Sequence, residues 1–82
     1  MIVISSHSDL VFFFHKMAGR VNRYDVIITN KFLSIEAHGS NEVLMEKAVL
    51  PMATKDGFNS PYDVINYFLC YCVDFNVRFN LV

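Results

Sequence analysis

Histidine, cysteine, serine and the carboxylates can ligate metals or move protons, and this chain offers few of them at workable spacing. The histidines are His7, His15 and His38, and the cysteines are Cys70 and Cys72. Two residues apart on a helix, the cysteines would diverge by about 200° at roughly 100° per residue. A structural zinc site needs four convergent ligands, and neither a second cysteine pair nor a close histidine pair supplies them. The histidines therefore read as ordinary surface groups, and no metal or other cofactor is expected.

Nucleophilic chemistry fares no better. Ser5-Ser6-His7-Ser8-Asp9 contains the letters of a hydrolytic triad, but a triad brings separated parts of a chain together around an oxyanion site. The segment reads instead as the end of a strand and the cap of a helix. Cys70 would be the more accessible thiol, lying late in a helix between Tyr67, Tyr71 and Asp74, where nothing positive lowers a thiol pKa. Gly19, Gly39 and Gly57 are isolated, without a phosphate-binding loop. The sequence thus assembles no catalytic residues, and the reading leans away from an enzyme.

The elements that would position these side chains are clearer. Residues 1–5 form a short β-branched run, expected as a buried strand at the sheet centre. Ser6 or Ser8 then caps a helix with Asp9 in its first turn, and Gly19 stops it after Ala18. Leu10, Phe13, Phe14 and Met17 share its core-facing stripe. Residues 24–38 read as a hairpin turning at Asn30-Lys31, which pairs Ile28 with Leu33, Val26 with Ile35 and Tyr24 with Ala37. Residues 42–50 fit either a short helix or a third meander strand, ended by Pro51. Residues 52–59 look like a loop.

Ser60-Pro61 starts a second helix, with Ile65, Phe68, Leu69 and Cys72 inward. Val77, Phe79 and Leu81 alternate in a terminal strand. The order β-α-β-β-x-α-β predicts one α+β domain over residues 1–82: a small antiparallel sheet with two helices on one face, ferredoxin-like in order. No internal repeat, linker or family motif stands out.

Composition narrows the function classes. The 82 residues are 54% hydrophobic and 15% aromatic but only 18% charged, which implies an ordered core and a surplus of apolar side chains. The net charge of −1, with no basic run, argues against general nucleic-acid binding. Neither a signal-peptide pattern nor a membrane-length apolar run is present, and two neighbouring thiols suit a reducing compartment, so the expectation is cytoplasmic.

Phe12, Tyr67 and Tyr71 are expected to face outward, with Lys16 at the rim of the patch they form, unless residues 40–59 fold over them. Aromatic anchors ringed by polar groups are what protein interfaces use. The leading expectation is a small non-enzymatic interaction module, a regulator or inhibitor of the kind that viruses and mobile elements encode. It would bind another protein or its own copy as a homodimer. The alternatives are an RNA-binding sheet stacking bases on Phe32 and Phe79, disfavoured by Asp25 and Glu36 opposed on the Phe32 face, and a small hydrolase whose site converges only in three dimensions.

Overall fold

The computed structural model of the chain describes residues 1–51, Asp63, Asn66 and residues 76–82. These hold β1 (Ile2–Val3), α1 (His7–Met17), β2 (Arg23–Ile28), β3 (Phe32–His38), a 3-10 turn (Ser40–Glu42), β4 (Leu44–Pro51) and β5 (Asn76–Leu81). The fold is α+β, with one five-stranded sheet in the order β1-β4-β3-β2-β5.

Local chemistry sets α1. Ser6 is its N-cap: the Ser6 hydroxyl accepts a hydrogen bond from the Asp9 backbone N–H at 3.2 Å. The Asp9 carboxylate reaches back to accept from the Ser5 N–H and the Ser5 hydroxyl, each at 3.1 Å. This is a capping box displaced by one residue. At the other end Gly19 takes a φ of +75°, a left-handed conformation that costs glycine little. Leu10, Phe13, Phe14 and Met17 are all buried, as their spacing requires.

The hairpin has the expected register, with Tyr24 opposite Ala37, Val26 opposite Ile35 and Ile28 opposite Leu33. Its turn is built differently from a glycine-containing one. Neither Asn30 nor Lys31 adopts a positive φ. Instead the Thr29 hydroxyl accepts from the Lys31 N–H at 3.2 Å and the Phe32 N–H at 3.0 Å, while the Thr29 N–H donates to the Phe32 carbonyl at 2.9 Å. A side-chain oxygen does the work that turn backbone would otherwise do.

Residues 42–50 resolve towards the strand alternative. β4 extends the meander antiparallel to β3, pairing Ala48 with Ile35 and Leu50 with Leu33. A bulge interrupts it: Ala37 faces Glu46 while His38 faces Leu44, leaving Met45 as the extra residue. Before it, Asn41 and Glu42 both have φ near 59°. A methyl group added at Gly39 would stand 2.7 Å from the Met45 sulfur, so glycine makes room for that side chain.

Two expectations about the sheet need correction. Among the described strands β1 lies at the edge, not the centre, and pairs with β4, in parallel, through Ile2–Ala48 and Val3–Val49. The sheet is mixed, not antiparallel, because β5 also runs parallel to its neighbour β2. With β1 at one edge and β5 at the other, the described strands do not interleave in a ferredoxin-like order. The second helix expected from Ser60 lies almost wholly outside the described residues, although Asp63 and Asn66 are helical. Tyr67, Tyr71, Cys70, Cys72 and the 52–59 loop also fall outside them.

The core fills the space between α1 and one sheet face. Ile4, Leu10, Phe13, Tyr24, Val26, Leu33, Ile35, Ala37, Ala48 and Leu50 are at most 2% exposed. Tyr24 meets the Phe14 ring edge-on at a centroid distance of 5.7 Å, a favoured aromatic geometry. Each such large side chain contributes roughly 1.5–3 kcal/mol by leaving water.

Candidate functional site

Two surfaces carry what chemistry the described residues offer, one on the outer side of α1 and one on the sheet face opposite the core. On α1 the stripe that fills the core leaves the residues between to face away from it. His7, Ser8, Val11, Phe12 and His15 line an open groove of roughly 370 Å³. Phe12 is 67% exposed, the outward position expected of it. The Lys16 ammonium lies 3.4 Å from Glu46 on β4, tying the end of α1 to the sheet. Glu46 also faces the amino terminus of Met1 at 3.5 Å. Of the expected patch, Phe12 alone is placed by the described residues as a candidate anchor, since Tyr67 and Tyr71 lie outside them.

The triad letters of residues 5–9 serve the helix cap, as expected. Ser6 and Asp9 are occupied with backbone and Ser5 partners. Those bonds, the Ser5 N–H first and its hydroxyl second, hold the Asp9 carboxyl below its usual range.

On the far face of the sheet, alternation puts Arg23, Asp25 and Ile27 of β2 beside Ser34, Glu36 and His38 of β3, with Lys47 of β4 and Arg78 of β5 on either flank. Asp25 and Glu36 stand directly opposite each other. Like charges so placed repel, and the surrounding cations answer that repulsion. Arg23 Nε and Arg78 Nε each donate to Asp25 Oδ1 at 3.1 Å. Arg23 also donates through Nη1 to Glu42 Oε1 at 2.8 Å, and Lys47 Nζ lies 3.9 Å from Glu36 Oε2. Burial pushes the Asp25 carboxyl up, but the hydrogen bonds from Arg78 and Arg23 outweigh it and leave Asp25 below the ordinary carboxylate value.

His38 completes this cluster. Its Nε2 lies 3.2 Å from Asp25 Oδ2 and 3.5 Å from Glu36 Oε1, with only 13% of the side chain exposed. It is thus not the ordinary surface histidine that its place near a strand end suggested. The opposition of Asp25 and Glu36 follows from the hairpin pattern, and His38 shares the face of Glu36 two residues on. What the sequence did not reveal was that the imidazole turns in over both carboxylates.

Phe32 and Phe79 are 37% and 41% exposed, but they stand on opposite faces of the sheet. Phe32 shares the face of Ser34 and Glu36, whereas Phe79 pairs with Val26 on the core side. Among the described residues no helix is long and apolar enough to cross a membrane. No protein-family model, curated protein or solved structure matches the chain.

Proposed function

We propose that the chain is a small non-enzymatic protein-interaction module that regulates or inhibits another protein by docking it on the outward face of α1. The observation that carries this reading is Phe12, a large ring two-thirds exposed at an open groove with Val11, His7 and His15 around it. Small-molecule sites bury most of their ligand in concave pockets. An open groove beside a projecting ring suits a partner's side chains instead, and aromatic anchors of this kind dominate interface energetics. A second helix over residues 60–74, bearing Tyr67 and Tyr71, would extend the same surface, and self-association through it is part of the proposal.

The RNA reading draws little support, because Phe32 and Phe79 cannot share one stacking platform and Asp25 and Glu36 stand on the Phe32 face. A hydrolase gains the convergence of His38 with two carboxylates.

The test compares the wild-type chain with Phe12→Ser in affinity capture from the native cell and in light scattering across concentration. The proposal expects a captured protein, or a dimer, that Phe12→Ser loses and that Arg78→Ala on the opposite face keeps. Equal behaviour of wild type and Phe12→Ser would reject α1 as the docking face. As an isolated surface substitution, Phe12→Ser should shift stability by no more than about 0.5 kcal/mol, so lost binding cannot be laid to unfolding.

A further inference from the structure

We propose that His38, Asp25 and Glu36 form a binding site for a zinc-class divalent metal ion, through His38 Nε2, Asp25 Oδ2 and Glu36 Oε1. One ligand atom from each of the three residues falls within 4.8 Å of the others. The separations are tighter for the histidine, at 3.2 Å to Asp25 and 3.5 Å to Glu36. Zinc holds histidine nitrogen and carboxylate oxygen at about 2.0–2.2 Å, so donors on a tetrahedral ion stand roughly 3.3–3.6 Å apart. The imidazole already stands at nearly that spacing from each carboxylate, and the carboxylate oxygens lie within 4.8 Å of each other on adjacent paired strands.

The tautomer of His38 supplies an independent reason. His38 Nδ1 lies 3.3 Å from the Glu42 backbone carbonyl. A carbonyl oxygen only accepts, so Nδ1 carries the proton and donates it there. In the neutral ring Nε2 then presents a lone pair, and this atom is shut from solvent without a hydrogen-bond partner. It meets the two carboxylates at contact distance but not in hydrogen-bonding geometry. A lone pair facing two anionic oxygens is unfavourable until something positive sits among them. Metal-ligating histidines commonly donate their other ring N–H to a carbonyl or carboxylate, which fixes the ring, and Glu42 supplies that support here.

The carboxylates are oriented in the same sense. Asp25 offers Oδ1 to Arg23 and Arg78, and Glu36 offers Oε2 towards Lys47, leaving Oδ2 and Oε1 turned to His38. Arg23 Nη2 also donates a hydrogen bond to Oδ2 at 3.4 Å, so a metal ion would share that oxygen with Arg23 or displace it. Three protein donors leave a coordination position for solvent. The flanking cations oppose a divalent ion, and Arg78 is the one best able to withdraw, with its side chain 63% exposed on β5.

Cobalt(II) alone, as a spectroscopic substitute for zinc, tests this on the full chain near neutral pH. The expected result is one ion per chain with tetrahedral visible absorption, displaced by zinc. His38→Gln should weaken binding by at least about tenfold, as loss of one ligand of three implies. Arg78→Ala should tighten it, on the order of tenfold, by removing a repelling charge. Because Arg78 is exposed, that variant reads the site even if His38→Gln fails to fold. Binding with thiolate charge-transfer bands that Cys70→Ser with Cys72→Ser abolishes would overturn the proposal. So would no binding at millimolar cobalt, or an affinity indifferent to Arg78→Ala.

Discussion

Ser6 and Asp9 show how much a short polar side chain can decide at the start of a helix. Ser6→Ala removes the acceptor for the Asp9 N–H and should cost about 1 kcal/mol, measured as a shift in urea midpoint. The pH dependence has a definite sign. The Asp9 pKa is lowered by its Ser5 hydrogen bonds, so its contribution is present above the unfolded aspartate value, about 3.9, and is lost as pH falls through the folded value. Asp9→Asn should therefore flatten the acid limb of a stability–pH profile below about pH 4 while leaving its slope near neutrality unchanged. An unaltered acid limb would mean that Asp9 keeps its unfolded pKa. Thr29 is the corresponding residue in the hairpin. Thr29→Val takes away the oxygen that receives two turn N–H groups and should destabilise by about 0.5–1.5 kcal/mol, because water only partly replaces those bonds.

At the scale of the element, α1 and the hairpin form the part of the fold with matching demands on both sides. The inward stripe of α1 and the inward rows of β2 and β3 meet in one apolar layer, in which the Phe13, Phe14 and Tyr24 rings touch. Phe13 is wholly buried. Phe13→Ala should cost about 3–5 kcal/mol, against a total for a chain of this length of roughly 4–12 kcal/mol. Circular dichroism during thermal denaturation should show a large fall in Tm or no folded baseline at all. A fall of only a degree or two would mean that the rings carry less of the core than their burial implies. β4 was harder to read from its residues because its alternation changes phase. Val43, Met45, Lys47 and Val49 suggest one inward row, yet Ala48 and Leu50 are the buried residues, and Met45 joins them across the bulge. One inserted residue moves every later side chain to the other face, and a period-2 search cannot anticipate it.

For the whole molecule, short-range chemistry and long-range placement contributed different things. Caps, turn residues and hydrophobic periodicity act within a few positions. They determined α1 from Ser6 to Gly19, the pairing of β2 with β3, the outward place of Phe12 and the opposition of Asp25 to Glu36. The hydrogen bonds and side-chain directions behind those features close within one element or one hairpin. Parallel neighbours come from distant segments, and nothing local marks them. Tertiary structure alone set β1 at the sheet edge beside β4, put β5 alongside β2 and brought Arg78 to Asp25 across 53 residues of sequence. It also turned the His38 ring over two carboxylates, held from behind by a carbonyl in the 3-10 turn. Such a cluster depends on the meeting of three strands and a bulged connection, and that meeting is fixed by the packing of the whole sheet rather than by any residue's own preference.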